Sequence, residues 1–179
     1  MREPADVTRI RRFMRALGDH ARGETKVYFT GGATAVLHGW RSSTVDIDVK
    51  IVPERDDVYR AIPALKERLH VNVELAAPSD FIPVRADWEA RSPFITREGR
   101  VSFHHFDLYA QALAKIERGH AQDQEDVRAL FRDGLLRPQQ LVEYFEAIAE
   151  QLYRYPAVDP ARFRARIGEA VREQHPNRT

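Results

Sequence analysis

The segment YFTGGATAVLHGWRSSTVDIDVKI, residues 28–51, contains an apolar run, a double glycine and two closely spaced aspartates. The run KVYFT (26–30) predicts a strand that leads into Gly31-Gly32, and the residues after the glycines have the spacing of a short helix. The stretch VDIDVKIV (45–52) alternates apolar and charged residues, which predicts a half-buried strand. The segment therefore predicts a strand, a glycine turn, a helix and a second strand in succession.

Asp46 and Asp48 are two residues apart in the second predicted strand, so their carboxylates share one face and repel each other. A divalent metal ion relieves such repulsion, and Mg²⁺ prefers a few carboxylates together with phosphate oxygens and water. The alternative is that the two charges keep an exposed edge strand soluble. We favour a metal site because a glycine turn at a helix start lets backbone N–H groups approach a phosphate.

The turn does not match the best-known phosphate motifs. Its glycine spacing differs from the GxGxxG of dinucleotide-binding folds, and it lacks the GK[ST] of a P-loop. Ser43 and Thr44, just before the aspartates, either form a turn or supply a hydroxyl to a phosphate, and the pattern leaves both open.

The rest of the chain divides into two halves, an α/β core over residues 1–106 and a helical region over residues 107–179. Residues 78–100 are rich in proline and charge and predict a loop with one short strand at PFIT. Pro63 is expected near the end or at a kink of its helix. Helical spacing and capping signals predict helices over 6–19, 56–70, 107–119, 123–134, 137–155 and 159–175, and alternation predicts strands over 71–77 and 100–106.

The composition restricts the classes of function. With 28 basic and 27 acidic residues the formal charge is +1, so any basic surface must be a local patch. The chain has no cysteine, which excludes disulfides and thiolate metal sites. No signal-peptide core and no apolar run of membrane length occur, so we expect a soluble, cytoplasmic protein without a membrane partner.

A double glycine, a helix and an Asp-hydrophobic-Asp strand resemble the nucleotidyltransferase superfamily that includes DNA polymerase beta. The fuller pattern, GGATAVLHGWRSSTVDID followed by LAKIERGHAQDQEDVRALF, is similar to AbiEii-type toxin nucleotidyltransferases and to related small bacterial nucleotidyltransferases. The resemblance covers roughly residues 25–136. It implies an α+β fold, with a mixed sheet and flanking helices followed by a C-terminal helical region packed on this core.

The resemblance also implies roles for the motif residues. Gly31 and Gly32 would bind the β and γ phosphates of a nucleoside triphosphate, and Asp46 and Asp48 would bind two Mg²⁺ ions. In the downstream segment, the resemblance implies that Lys115 neutralises the triphosphate and that Asp126 orients this lysine or an incoming base.

The downstream segment can also be interpreted without any contact to a nucleotide. Lys115 could be a solvated helix lysine, and Asp123 with Asp126 could be a helix N-cap and its partner three residues on. Gln122 stands where AbiEii-type toxins often carry an arginine, and Arg118 is a candidate substitute.

The superfamily supplies a third catalytic and metal-binding carboxylate from a later strand, and we assign it to Glu74. In VNVEL the apolar residues fall at 71, 73 and 75, so Glu74 lies on the polar face of its predicted strand. If this strand neighbours the aspartate strand, with both apolar faces on the same helices, Glu74 emerges beside Asp46 and Asp48. Asp80 and Glu89 lack this geometric argument.

The expected function is therefore metal-dependent transfer of a nucleoside monophosphate from a triphosphate to an acceptor hydroxyl. The resemblance suggests tRNA, another RNA or a protein as acceptor, and a role as the toxin of a pair with a cognate antitoxin protein. Two alternatives stay open: a non-catalytic nucleotide-binding or protein-interaction module, and a small-molecule nucleotidyltransferase of the antibiotic-modifying kind. The sequence names neither the base nor the acceptor.

Overall fold

The computed structural model describes residues 3–174 of the chain, which form two compact units. The first unit takes in the residues up to Ala77 together with Ser92–Phe106. The second takes in Pro78–Arg91 and the residues from Asp107 onward. The expected division after residue 106 did not anticipate that 78–91 groups with the helical unit. The end of the predicted last helix, at residue 175, lies outside the described residues.

A five-stranded mixed sheet forms the centre of the first unit. The strands are β1 (Thr25–Thr30), β2 (Asp46–Val52), β3 (Asn72–Leu75), β4 (Phe94–Glu98) and β5 (Val101–His105). In space they run β3-β2-β1-β5-β4, with β1 parallel to β5, β2 parallel to β3, and antiparallel pairing of β1 with β2 and of β4 with β5. The aspartate strand β2 therefore lies inside the sheet, which excludes the edge-strand alternative for its charges.

Strand β2 alternates as its sequence predicts. Ile47, Val49 and Ile51 are buried, whereas the intervening charged residues are only half-buried. Two predictions about the apolar faces were wrong. Val45 precedes the strand and is 69% exposed, and Leu75, at the end of edge strand β3, is 57% exposed.

Three helices build the first unit's core with the strands: α1 (Val7–His20), α2 (Gly31–His38) and α3 (Asp56–Leu69). Asp6 caps α1, since its side chain accepts a hydrogen bond from the Arg9 N–H at 2.8 Å. The apolar side of α1 joins the same core cluster as the buried residues of β1, β2 and β5. Each large side chain fully buried in such a core stabilises it by about 1.5–3 kcal/mol.

Pro63 lies inside α3 and not near either end, so of the two expected positions the one at a kink stays a prediction. A proline within a helix removes one backbone hydrogen bond and costs about 3 kcal/mol. Val58, Ile62 and Leu65 of α3 are buried, and at about 1.5–3 kcal/mol each their burial outweighs that cost.

The second unit is helical, and none of the helices in the described chain is both long and apolar enough to cross a bilayer. Asp107 caps the helix that begins at Leu108, since its side chain accepts a hydrogen bond from the Tyr109 N–H at 3.0 Å. Asp123 is not a cap, because its helix begins at Ala121, and the predicted helix over 137–155 ends at Ala149. The helices are α4 (Trp88–Arg91), α5 (Leu108–Arg118), α6 (Ala121–Arg132), α7 (Pro138–Ala149) and α8 (Pro160–Glu173), with 3₁₀ turns at Pro78–Asp80 and Leu152–Arg154.

Candidate active site

The double glycine forms the junction between β1 and α2, which begins directly after the strand ends at Thr30. Gly31 has a φ of +59°, a left-handed conformation that side chains with a Cβ rarely adopt. A Cβ on Gly31 would also lie 2.7 Å from Oδ2 of Asp48. The backbone at the helix start therefore approaches the aspartate strand as closely as only glycine allows.

Gly32 is enclosed by two polar side chains. A Cβ at this position would lie 2.0 Å from Oγ1 of Thr44 and 3.3 Å from Nη1 of Arg41. A guanidinium thus stands beside the helix start, where the first backbone N–H groups of α2 have no partner within the helix. Sequence reasoning missed Arg41, although a basic residue in the loop between glycines and aspartates was visible in WRSST.

Glu74 lies on the same face of the sheet as the two aspartates. Strands β2 and β3 are parallel, and their register pairs Asp48 with Glu74 and Asp46 with Asn72. Side chains at paired positions of neighbouring strands point to the same face, and the strands are about 4.8 Å apart. The expected placement of Glu74 is therefore confirmed, whereas its catalytic role stays a prediction.

Asn72 links the carboxylates of this face, and sequence reasoning did not identify it. Its Nδ2 donates to Oδ1 of Asp46 at 2.6 Å and to Oε1 of Glu74 at 3.2 Å. The amide hydrogens reduce the repulsion between these two negative groups. Only the register of β2 against β3 brings Asn72 to this position, and register cannot be read from one strand alone.

The chemistry of the donor set fits Mg²⁺. Asp46, Asp48 and Glu74 offer only carboxylate oxygens, the hard ligands that this ion prefers. Within residues 3–174 no three acidic or histidine side chains are arranged as a complete metal site. Mg²⁺ does not require one, because it binds through one or two carboxylates while water and substrate phosphates complete its coordination. The adjacent aspartates meet this requirement.

Thr44 is held by the backbone around it. It forms an isolated bridge with Ala5, and its Oγ1 donates to the Asp46 carbonyl at 2.9 Å. These contacts support the interpretation of this segment as a turn that fixes the start of β2. Ser43 is half-buried beside it, and phosphate contact by either hydroxyl stays a prediction.

Lys115 and Asp126 belong to the second unit, where they form an ion-pair cluster. Nζ of Lys115 lies 2.6 Å from Oδ2 of Asp126 and 3.4 Å from Oδ1 of Asp123. The lysine side chain is 8% exposed and the Asp126 side chain is fully buried, so the alternative of a solvated lysine is excluded. The cluster joins α5 to α6, and nucleotide contact by Lys115 or Asp126 stays a prediction.

Arg118 completes this cluster. Its guanidinium donates two hydrogen bonds to the carboxylate of Asp123, at 2.7 Å from Nε and 2.6 Å from Nη2. Burial opposes ionisation of Asp123, but the hydrogen bond from Arg118 and the charges of Lys115 and Arg118 outweigh it and lower its pKa. Arg118 is therefore the arginine that pairs with the first downstream aspartate.

A buried histidine fixes α2 against β5. The Thr34 hydroxyl donates to the Phe29 carbonyl at 3.2 Å, so its oxygen accepts the Nδ1–H of His105 at 3.1 Å. Burial lowers the pKa of His105 to about 3, and the nearby charges of His38 and His104 act in the same direction. The helix that carries the glycine turn is thus held by a neutral imidazole.

The comparisons with known proteins point to the chemistry that this geometry suggests. A family model described as "Nucleotidyltransferase of unknown function (DUF6036)" matches residues 5–157. This range takes in the glycine turn, β2, β3 and the Lys115 cluster. No curated protein and no solved structure matches the chain.

Proposed function

The chain belongs to this nucleotidyltransferase family, and we propose that it transfers a nucleoside monophosphate from a nucleoside triphosphate to an acceptor hydroxyl. The observation that carries the proposal is the register of β2 and β3, which places Glu74 opposite Asp48 on the face that also carries Asp46. The glycine turn at the start of α2 adjoins Asp48. A candidate phosphate site and a candidate carboxylate site therefore adjoin each other within the first unit.

In the proposed mechanism, the turn residues bind the triphosphate. The backbone N–H groups at Gly31 and Gly32 receive the β and γ phosphates, since the start of a helix carries partial positive charge. The Arg41 guanidinium lies close enough to Gly32 to add a charge-assisted contact to the same phosphates. Two Mg²⁺ ions held by Asp46, Asp48 and Glu74 would neutralise charge on the triphosphate and the leaving pyrophosphate.

Glu74 is the proposed general base. The oxygen of the acceptor hydroxyl attacks the α phosphorus in line and forms a new P–O bond, while the bond from phosphorus to pyrophosphate breaks. The hydroxyl proton passes to the Glu74 carboxylate, which is exposed at the edge strand and therefore accessible to an acceptor. The products are an acceptor carrying one nucleoside monophosphate and pyrophosphate.

The experiment offers the pure protein each α-³²P-labelled triphosphate with Mg²⁺, once with total cellular RNA and once with an RNA-free extract. We expect the label to enter a macromolecular or small-molecule product only when the divalent ion is present. Label in RNA, in protein or in a small molecule identifies the acceptor. Tight triphosphate binding without transfer to any acceptor would instead support the non-catalytic module.

The binding step can be tested separately from transfer. We expect Arg41→Met to weaken triphosphate affinity more than monophosphate affinity, because the proposed contact is to the β and γ phosphates. A charge-assisted hydrogen bond contributes about 1.5–3 kcal/mol, so the loss is about tenfold or more. Arg60→Met, which changes an arginine on the exposed side of α3, is the matched control.

We also propose that this transfer makes the protein the toxin of a toxin–antitoxin pair. The resemblance of the motifs to AbiEii-type toxins supports this role. If it holds, expression without the antitoxin partner slows bacterial growth, and expression of Asp48→Asn at a matched level does not. Equal growth of both strains removes the toxin role and leaves the enzymatic proposal intact.

A further inference from the structure

Three arginines lie on the exposed side of α1. Arg11, Arg12 and Arg15 are spaced by one, three and four residues, so they share one face of the helix, and all three are exposed. The opposite side of α1 is buried in the core of the first unit, which fixes the direction of the arginine face. We call these three residues the α1 arginine face.

The α1 arginine face has no side-chain partners among the described residues. Within residues 3–174, the side chains of Arg11, Arg12 and Arg15 take part in no hydrogen bond or ion pair. Asp19, one turn beyond Arg15 on the same helix, forms no ion pair with it. Arginines elsewhere in the chain do pair with carboxylates, among them Arg9 with Glu3, Arg55 with Asp57, and Arg97 with Glu24.

Placing these charges together has a local cost. Like charges four residues apart, as in Arg11 and Arg15, or three apart, as in Arg12 and Arg15, destabilise a helix. Repulsion between neighbouring side chains that no contact among the described residues offsets is typical of a functional surface. The arrangement therefore points to an external anion with closely spaced negative charges.

We propose that the α1 arginine face binds the sugar-phosphate backbone of an RNA acceptor, an inference that rests on the proposed function. Guanidinium groups bind phosphates through two parallel hydrogen bonds, and neighbours on a helix face are about 5–6 Å apart at Cβ. An RNA backbone offers fixed charges at close spacing and the hydroxyl groups that the proposed reaction needs. The formal charge of the whole chain is only +1, so the attraction for the RNA phosphates must come from this local patch.

The position of α1 also favours a large, folded RNA. Helix α1 shares its core with Ile47 and Val49, whose side chains point to the face of the sheet opposite Asp46 and Asp48. An RNA held at α1 must therefore extend around the sheet for its acceptor hydroxyl to reach the carboxylates. Short oligonucleotides cannot occupy both places, so they should bind and react less well than a folded RNA of tRNA size.

The test measures binding of labelled total tRNA to the full chain at several salt concentrations, without triphosphate. The slope of log affinity against log salt is negative, and each lost phosphate contact makes it less steep by about 0.7–0.9. The triple variant Arg11→Gln, Arg12→Gln, Arg15→Gln should lose about tenfold or more in affinity at low salt and about two units of slope. A second triple variant, Arg60→Gln, Arg132→Gln, Arg154→Gln, removes the same charge from other surfaces and should bind as the wild type does. Thermal unfolding of both variants checks that they are folded.

The inference is overturned if the two triple variants lose affinity equally, if the wild type does not bind tRNA, or if polyglutamate competes as well as tRNA. The last result would point to an acidic protein as the partner.

Asp48→Asn separates this inference from the proposed function, because it should bind tRNA normally and transfer nothing. The α1 triple variant could also bind tRNA and transfer to it as the wild type does. That result would leave the proposed function standing and would contradict RNA binding by the α1 arginine face. If tRNA binds through the arginines and no transfer occurs, the arginine surface is supported and the proposed function is removed.

Discussion

Asp48 and Glu74 are paired residues on neighbouring parallel strands, so their carboxylates leave the sheet on the same face. The strands are about 4.8 Å apart, close enough for carboxylates on both to contribute to one metal site. Asn72, two residues before Glu74, donates hydrogen bonds to Asp46 and Glu74 and so fixes their side chains. The arrangement separates two environments, because Asp46 and Asp48 lie inside the sheet while Glu74 stands at its edge.

Replacing Glu74 by glutamine tests the role of general base. We expect Glu74→Gln to retain triphosphate affinity and to slow the chemical step about 10²- to 10⁴-fold, the usual effect of losing a general base. Single-turnover transfer and equilibrium binding measure the two effects separately. Glu89→Gln removes a carboxylate from short helix α4 and should leave both unchanged. Equal rates for Glu74→Gln and the wild type would remove Glu74 from the mechanism.

Replacing Lys115 tests whether the downstream motif holds the fold or the nucleotide. Lys115→Met removes the cation beside buried Asp126, whereas Asp123 keeps its pairing with Arg118, and breaking a buried ion pair costs about 3–5 kcal/mol. We expect a correspondingly lower free energy of unfolding in urea. The double variant Lys115→Met, Asp126→Leu should recover part of the loss, because it also removes the carboxylate that Lys115 paired with.

The opposite result for Lys115→Met has a clear meaning. Unchanged stability together with weaker triphosphate binding would contradict the structural role and support the nucleotide contact that the resemblance implies. Binding is therefore measured on the same samples, under conditions where the variant is fully folded.

The buried imidazole of His105 makes stability depend on pH. Its pKa of about 3 in the folded protein is well below the usual value of about 6.5, so between these values only the unfolded chain takes up the proton. This contribution is fully present above about pH 6.5 and is lost as the pH falls, by up to about 1.4 kcal/mol per pH unit. We expect urea unfolding of His105→Asn to depend less on pH than that of the wild type. The control is His70→Asn, which removes an exposed histidine, and equal pH dependence of wild type and His105→Asn would contradict the prediction.

The features that follow from local pattern were predictable from the sequence. The alternation in VDIDVKIV shows a strand with one charged face. The double glycine shows where the backbone can approach a neighbouring group closely. Glu74 could be placed on the correct face because two alternating strands that pack on the same helices share their polar side. These inferences need only the period of the side chains and the direction of the core.

The features that depend on pairing between distant segments were not predictable. The contact of Asn72 with Asp46 requires the register of two strands, and the approach of Arg41 to Gly32 requires the path of a loop. The burial of Lys115 depends on how α5 meets α6, which a single helical pattern does not reveal. Leu75 was misassigned because an edge strand leaves its last residue uncovered.

The most direct test of the proposed mechanism is divalent-ion-dependent transfer by the wild type, Asp46→Asn and Asp48→Asn. Both variants keep the size and polarity of the side chain, and removing one of two adjacent negative charges should leave the unfolding temperature unchanged or raise it. Lys50→Met, which changes the next residue on the same face of β2, is the control. We expect Mg²⁺-dependent transfer by the wild type and by Lys50→Met, with no transfer by either aspartate variant. Full activity in a folded Asp46→Asn or Asp48→Asn protein would contradict the mechanism.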